Sequence, residues 1–494
     1  MKSKYRKLRL FLIASFLKVD SIMQKNALPV SSRRRLAFAM GEIGDNVSAQ
    51  TFSFLLFTFY YTVVRIPVSL ISTAFIIWSI WNAINDPLIG LLSDRTKSKH
   101  GRRIVWMLAA TIPLALLMIL LFTAPLGSGV PLEFAYLMIV LIVYDTFYTA
   151  FNLNYNSLFS EMFITVEDRS QAGKIRGICV ILALILAFVL PSIVITDITN
   201  QHNLPETPLQ YIIVGVIAAC IIITTYSIVL KYGAQERPEF KEAGEKIPPL
   251  KEVFKFTFTN KAFLIYLIVA VSIWICNGIL PTIIPYFAVH ILKVADQNSI
   301  LIGLLLAVCF VVAAFSMPLW TKIRAKKGVR FTGFIALPIW AVTLFIFSFT
   351  TDLVTAFIGI LLVGLGLGGS IYMYDQGMAE IIDEDEILHG VRRSGAYYGV
   401  INFIIRLANI LNFLMINLIF STSAWETYNP FPSEAAIAGI KILIGVYPAI
   451  VLVIGILGLV FYPIKGKRWA ETQKKIEALH HTDEDEKAIK TDIN

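Results

Sequence analysis

A carboxylate and two amides lie close together in one apolar stretch of this sequence. Residues 81–87 read Trp-Asn-Ala-Ile-Asn-Asp-Pro, so Asn82 and Asp86 are four residues apart and share one face of a helix. Pro87 has no N–H to donate and leaves a backbone carbonyl unpaired in such a helix. Carboxylate, amide and carbonyl oxygens suit a small hard cation, and a carboxylate also holds a proton. We therefore predict that Asp86, together with Asn82, binds H⁺ or Na⁺.

Other polar side chains interrupt the first and fourth apolar stretches. Asp45 and Asn46 lie in the first, whereas Asp145, Tyr148 and Asn152 follow one helical stripe of the fourth. Hydroxyl and amide groups beside aromatic rings suit a polar solute with several hydrogen-bonding groups. The alternative is that these groups bond between helices and hold the packing. We expect Asp45, Asn46, Tyr148 and Asn152 to line a substrate cavity.

Two arginines add positive charge to this set. Arg176 begins the fifth apolar stretch, and Arg406 lies about a dozen residues into the eleventh. An arginine this deep does not reach the membrane surface easily, so Arg406 needs a carboxylate or a water-filled cavity as its partner. Both arginines are predicted to contact the substrate.

Two charged segments are candidates for a gate. Asp94, Arg95, Arg102 and Arg103 follow the second apolar stretch, and an acidic run follows the tenth, in what the pattern predicts as a loop. A charge run is usually only solvated. Here acids and bases recur beside one another, and we expect an ionic gate formed by the first segment and Asp383, Glu384, Asp385 and Glu386.

The elements that carry these residues are long apolar helices. The 494 residues are 56% hydrophobic and 16% charged, against roughly 25% charged in soluble chains. Stretches of about twenty apolar residues span a bilayer as helices. The pattern predicts an all-α membrane protein of twelve transmembrane helices. Six form a bundle over 36–232 and six a bundle over 257–464, with polar segments at 1–35, 233–256 and 465–494.

Charge in the loops predicts the orientation. Lysines and arginines concentrate in the loops 94–103 and 322–330 and beside both termini, whereas the loops 124–132, 196–208, 350–353 and 422–435 contain none. Basic loops stay in the cytoplasm, so both termini are predicted to be cytoplasmic. The net charge of +9 follows from topology, and no nucleic-acid partner is expected. The two basic loops occupy equivalent places in the two halves, as in the major-facilitator fold.

Several functions find no support in the sequence. The four cysteines lie in apolar runs without metal or redox spacing. The sequence contains no phosphate-binding Walker loop and no hydrolase or metalloprotease motif. We expect no enzyme activity, no resident cofactor and no metal other than a transported Na⁺.

Three sequence segments resemble the glycoside–pentoside–hexuronide:cation symporter family, whose best-known member is melibiose permease. They are residues 41–45 with 59–62, residues 81–87 with 94–102, and residues 380–386 with Gly390, Arg392, Arg393 and 395–399. The resemblance covers about 35–465. It implies a major-facilitator fold and sugar entry coupled to Na⁺, Li⁺ or H⁺ by alternating access.

The resemblance also implies roles for single residues. Asp86 matches one of the family's two cation-binding aspartates, and Asn82 stands at the other. Asn46 and Asn152 fall where sugar-binding aspartates occur, while Arg176 and Arg406 match basic residues of the family. A single carboxylate suits a proton better than Na⁺.

These observations predict a monomeric, plasma-membrane symporter that couples H⁺ or Na⁺ to a sugar or glycoside. Two alternatives stay open, namely an uncoupled facilitator or lysolipid carrier, and a sensor with a transporter fold that binds ligand without moving it. Residues 8–17 are apolar but too few to span, and an interfacial helix or a later start at Met23 is expected there.

Overall fold

A computed structural model of the chain describes residues 30–163, 165–236, 256–294, 299–389, 393–464, 466, 468–472 and 475. These ranges are helical and contain no strand, which confirms the all-α prediction for them. The helices are α1 (Ser32–Ala39), α2 (Gly41–Thr58), α3 (Val68–Arg95), α4 (Ile104–Leu120), α5 (Val130–Met162), α6 (Val166–Val194), α7 (Thr207–Ile228), α8 (Lys261–His290), α9 (Ile300–Phe347), α10 (Leu353–His389), α11 (Ser394–Thr422), α12 (Glu434–Lys441) and α13 (Tyr447–Phe461). Short π-helical turns extend α2, α7 and α12.

The described helices are consistent with twelve membrane crossings. Eight of them, and the continuous stretch Glu434–Phe461 that joins α12 to α13, are long and apolar enough to span by length and composition, and α4 is a shorter apolar helix. The segment 41–63 and a division of the 48-residue α9 would supply the other two crossings. Gly328 divides α9, because its φ of 79° and ψ of 172° are not helical. Glycine adopts this left-handed φ without the steric cost that a Cβ brings.

The helices pack as two bundles. Helices α2 to α7 contact one another, as do α8 to α13, and the bundles meet where α3 packs on α11, α6 on α9 and α2 on α8. Each helix buries an apolar stripe in a core rich in aromatic rings, while exposed Leu, Ile, Val and Phe cover the outer surface. Exposed apolar side chains are what lipid contact requires.

One end of the molecule is closed by aromatic residues. We call it the neutral end, because the four loops without Lys or Arg lie there. A cluster of buried rings joins the two bundles at this end; this aromatic seal consists of Phe57, Tyr61, Tyr286, Phe420 and Trp425. The Tyr61 hydroxyl donates a hydrogen bond to the Trp425 carbonyl. Beside the seal, the Val68 amide donates to the Glu426 carbonyl at 2.8 Å.

The opposite end carries the basic loops, and we call it the basic end. The ion pairs described there join residues of one bundle to each other. Arg35 pairs with Asp168 at 2.5 Å in the first bundle, and Arg468 pairs with Glu384 at 2.6 Å in the second. The bundles are therefore tied together at the neutral end, and these basic-end ion pairs do not tie them.

The prediction of a loop for the acidic run is wrong. Asp383, Glu384, Asp385 and Glu386 form the last turns of α10, which ends at His389. Asp385 pairs with His389 one turn later at 3.0 Å and with Arg393 at 2.6 Å. Arg393 supplies the helix end with the cation that its partial negative charge favours, and the helix continues beyond the apolar span.

Several predictions fall outside the described residues. They are the interfacial helix at 8–17, most of the central segment 233–256, the motif residues 390–392 and most of the tail 465–494. The described part of the tail is helical over 468–472.

Candidate substrate and cation site

Asp86 and Arg406 form an ion pair between the two bundles. Asp86 on α3 accepts a hydrogen bond from Arg406 Nε on α11 at 2.7 Å. The other carboxylate oxygen accepts from the Thr149 hydroxyl of α5 at 3.1 Å. The two charged side chains keep 24% and 32% of their surface exposed, so the pair faces an open space. The deep arginine thus has the carboxylate partner that its position requires.

Unpaired amide oxygens lie on the same helix as Asp86. Asn82 is buried, and its Oδ1 has no hydrogen-bond partner among the described atoms; the same holds for Asn85 Oδ1. Asn85 Nδ2 donates to Asp145 Oδ2 at 3.1 Å. Trp78 Nε1 donates to Asp145 Oδ1 at 3.0 Å. Asp86 and these two amide oxygens therefore lie within two turns of α3, and Asp145 of α5 contacts the same stretch through Asn85 and Trp78.

A second polar cluster surrounds Asp45. Asn152 Nδ2 donates to Asp45 Oδ1 at 2.7 Å, and the Tyr148 hydroxyl lies close to this carboxyl group. Asn46 Nδ2 donates to the Glu42 carbonyl at 3.0 Å and approaches the Glu42 carboxylate at 3.4 Å. The structure therefore places Asp45, Asn46, Tyr148 and Asn152 together, on facing sides of α2 and α5.

Arg176 closes this cluster from α6. Its Nε donates to Glu42 Oε1 at 2.6 Å, and its Nη2 donates to Asn156 Oδ1 at 2.9 Å. The guanidinium carbon lies 4.4 Å from the Phe159 ring centroid and 5.3 Å from that of Tyr155. Cation–π contact and the carboxylate hold Arg176 in one orientation.

The two clusters lie at a similar depth in the first bundle. At 1.5 Å per residue, Asp86 is about 27 Å along α3 from the neutral end, and Tyr148 of the second cluster is about 27 Å along α5 from the same end. Asp45, Asn46, Tyr148 and Asn152 all keep part of their surface exposed. Polar groups exposed at this depth face a water-filled cavity rather than lipid.

Aromatic rings separate the polar clusters from the seal. A cavity of about 80 Å³ lies between the bundles. Its walls come from α2, α3, α8 and α11 and include Phe52, Phe57, Phe75, Trp78, Phe413, Ser53, Thr282, Asn409 and Asn412. Phe75 and Phe413 stack across the bundles with centroids 4.4 Å apart.

The predicted gate residues pair within their own bundles in this conformation. Arg102 and Arg103 contact Glu161 at 2.9 and 2.8 Å, and Arg103 also contacts Asp94 at 3.2 Å. Arg95 is exposed. Glu384 and Asp385 pair with Arg468 and Arg393 of the second bundle, and Asp383 and Glu386 lie on the same turns of α10. A contact between the two gate segments stays a prediction for another conformation.

Sequence reasoning left several site residues out of its candidate set. Glu42 is not among the predicted residues, although its four-residue spacing to Asn46 signals a shared helical face. Asn85 and Thr149 sit next to residues that were selected. Asp145 belongs to the selected stripe, yet only the structure shows that it faces Asn85.

The fold defines the class of protein. The chain superposes with a TM-score of 0.62 on the crystal structure of a bacterial homologue of the human lysosomal transporter Spinster, in its inward-facing and unoccupied conformation. The match covers 88% of this chain and 97% of the other at 13% identity, which is a likeness of fold. The chain has the major-facilitator fold of multi-pass membrane transporters.

Sequence comparison then gives the family. Residues 37–466 match the family described as MFS/sugar transport protein, and the chain belongs to it. The isoprimeverose transporter of Lactiplantibacillus pentosus is 23% identical over 92% of this chain and 94% of its own. The sodium-dependent lysophosphatidylcholine symporter 1-A of Danio rerio is 24% identical over 95% and 93%. Family and relatives are transporters and not enzymes, so this protein binds a small-molecule substrate within the membrane.

Proposed function

We propose that this protein is a symporter that couples H⁺ or Na⁺ to the movement of a sugar or glycoside by alternating access. The observation that carries the proposal is the Asp86–Arg406 pair, because it spans the two bundles where both can face water. A fixed cation of the protein sits where a transported cation would bind. Both Arg406 and a bound H⁺ or Na⁺ neutralise Asp86. Of these, only Arg406 connects α3 to α11.

Competition at Asp86 supplies the coupling. A proton or Na⁺ on Asp86 releases Arg406, which removes one tie between the bundles and frees a guanidinium for the substrate. Asn82 and Asn85, on the same helix as Asp86, have side-chain oxygens without a hydrogen-bond partner among the described residues, and Asp145 adds a second carboxyl group that contacts Asn85. A ligand shifts a conformational equilibrium only through its different affinities for the two states. Displacement of Arg406 gives the cation that difference.

The cluster around Asp45 supports a polyhydroxylated substrate. Asp45, Asn46 and Asn152 present carboxylate and amide groups that bond hydroxyls as acceptors and donors. Tyr148 adds a hydroxyl beside an aromatic face, and Arg176 adds a fixed cation. A pocket with a few convergent polar groups and aromatic walls is typical of small-molecule sites.

Loop charge supports the orientation. Basic loops favour the cytoplasmic side, so we assign the basic end and both termini to the cytoplasm and the aromatic seal to the outside of a plasma membrane. The conformation described is then inward-facing. In the outward-facing state, Asp94, Arg95, Arg102 and Arg103 would meet the end of α10 with Asp383 to Glu386 and close the basic end. We further propose a monomer of two bundles, over 36–232 and 257–464, with no resident cofactor and no nucleic-acid partner.

Transport by purified protein in liposomes tests the proposal. A panel of labelled sugars is offered with an imposed pH gradient, an imposed Na⁺ gradient or neither. We expect accumulation of one sugar with one of the two gradients. We expect Asp86→Asn to abolish that accumulation, because the neutral amide binds no proton and lacks the negative charge that attracts Na⁺. Asp352→Asn is the matched control, since Asp352 is exposed in a neutral-end loop and caps α10 through the Thr355 amide, which asparagine also does.

Three results would contradict the assignment. Gradient-driven accumulation by Asp86→Asn would remove Asp86 from the coupling site. Downhill flux of a sugar with no effect of either gradient would identify a facilitator. Ligand binding without flux or counterflow would identify a sensor.

A lysolipid is the second candidate substrate. The aromatic rings that line the cavity beside the polar clusters would contact part of an acyl chain, and the relative from Danio rerio carries lysophosphatidylcholine in its name. Labelled lysophosphatidylcholine therefore belongs in the same panel. Its accumulation, with no response to any sugar, would replace the sugar assignment.

A further inference from the structure

A separate cavity lies at the basic end of the second bundle. It measures about 140 Å³ and sits between the bend of α9 and the described part of the tail. Its lining residues are Lys327, Gly328, Val329, Arg330, Phe331, Phe334, Ile464, Gly466 and Trp469. The bend at Gly328 makes room for the Trp469 ring, because a Cβ at Gly328 would lie 3.1 Å from it. The cavity is built from separate parts of the chain and is distant from the transport site.

Two fixed cations line this cavity. Arg330 donates from Nε to the Leu459 carbonyl at 2.8 Å and from Nη2 to the Val460 carbonyl at 2.7 Å, at the end of α13. The Lys327 ammonium lies 4.3 Å from the centroid of the Phe331 ring. Within the part of the chain that the structure describes, no ion pair engages either side chain. Both cations therefore keep capacity for an anion.

The nearby carboxylate is already engaged. Glu380 is fully buried behind Trp469, whose Nε1 donates to Glu380 Oε1 at 2.8 Å. Arg324 lies 3.8 Å from the same oxygen. Arg324 thus balances the charge of Glu380. The charges of Lys327 and Arg330 are not balanced by this carboxylate, so the cavity is positively charged.

The position of the cavity at the end of a crossing helix indicates which kind of ligand it binds. Lys327 is exposed and Phe331 keeps 37% of its surface exposed, at the end of a crossing helix. A lysine and an aromatic ring at this level lie among lipid headgroups. Basic pockets there attract anionic lipids more strongly than neutral ones. We propose that this cavity binds the phosphate headgroup of an anionic phospholipid, with an acyl chain running along Phe331 and Phe334.

Lipid binding to the full-length protein tests the proposal. Native mass spectrometry in detergent gives affinities for dioleoylphosphatidylglycerol, dioleoylphosphatidylcholine and soluble glycerol 3-phosphate. We expect the protein to prefer phosphatidylglycerol, and Lys327→Gln to weaken its binding about fivefold. Lys326→Gln removes the same charge one residue away, from an exposed side chain outside the cavity, and is expected to leave the affinity unchanged.

Three outcomes would overturn the proposal. They are equal affinity for the two lipids, equal losses for the two lysine variants, and binding of glycerol 3-phosphate as tight as that of phosphatidylglycerol. A thermal scan in parallel shows whether each variant is folded. The rise in melting temperature that phosphatidylglycerol causes should be smaller in Lys327→Gln than in Lys326→Gln.

Discussion

Gly303 is the position at which a small change should alter the balance between conformations. It lies on α9 where the second bundle contacts α6 of the first. A Cβ placed there would overlap the carbonyl oxygen of Phe188 and lie 2.8 Å from its carbon. Both neighbours are helix backbone and cannot rotate away. Gly303→Ala should therefore destabilise the arrangement in which the neutral end is closed.

The size of this effect follows from the overlap. Extra volume in a packed contact costs about 1–3 kcal/mol, and that cost applies only while α6 and α9 touch. A state in which the neutral ends separate avoids it. The ratio of closed to open neutral end should then fall by about 5- to 150-fold, since each 1.4 kcal/mol is a factor of ten.

Pulsed electron paramagnetic resonance measures this ratio, because it gives the distribution of distances between two spin labels. Spin labels at Ser128 and Thr351, which are exposed in neutral-end loops of the first and second bundles, report the separation of the bundles. We expect a longer distance to appear or grow in Gly303→Ala. The four native cysteines are replaced for labelling in every variant, including the reference.

Gly364→Ala is the matched control. A Cβ at Gly364 would overlap the carbonyl oxygen of Cys309 in the same way, but both residues belong to the second bundle. This variant should lose thermal stability without a change in the label distance. The reasoning is refuted if Gly303→Ala leaves the distances unchanged, or if the control shifts them equally.

Two further predictions concern stability. Glu42→Gln removes the carboxylate that pairs with Arg176, whose side chain is only 19% exposed. The free energy of unfolding should fall by about 2–4 kcal/mol, because the arginine is left without its counter-charge. Glu236→Gln weakens the contact with the backbone amides of Arg102, Arg103 and Ile104 at the start of α4, at 2.8, 2.6 and 2.9 Å, and should cost about 0.5–2 kcal/mol as a lost charged cap. Melting temperatures of the detergent-purified variants check both.

Glu206→Gln serves as the control for these two variants. It makes the same change at an exposed residue whose side chain does not cap its helix. A melting temperature for Glu42→Gln equal to that of the control would show that the Arg176 pair contributes nothing. The same comparison applies to Glu236→Gln.

The sequence predicts the architecture because the bilayer imposes a simple rule. Apolar runs of fixed minimum length give the crossing helices, and loop charge gives their expected direction. The rule also predicts that Arg406 has a partner, since a lone charge at that depth is costly. It does not name the partner. Asp86 is 320 positions away in the chain, and only the packing of α3 on α11 brings the two together.

Other features depend on contacts that local patterns do not encode. Hydropathy ends the tenth span near Ile381, but the ion pairs of Asp385 continue the helix to His389. Glu42 lies near a helix end, where a solvated carboxylate is the simplest interpretation, and its engagement by Arg176 depends on the approach of α6. Asn82 was selected by its spacing to Asp86, yet its burial depends on neighbours from other helices.

The two ends of the molecule also differ in how they respond to temperature. Rings of Phe57, Tyr61, Tyr286, Phe420 and Trp425 close one end, so closing it removes apolar surface from water and carries a negative heat-capacity change. Attraction of this kind weakens on cooling. The charged contacts that we propose for the closed basic end would follow a different thermal course, so warming and cooling alone should alter how long the transporter dwells in each state.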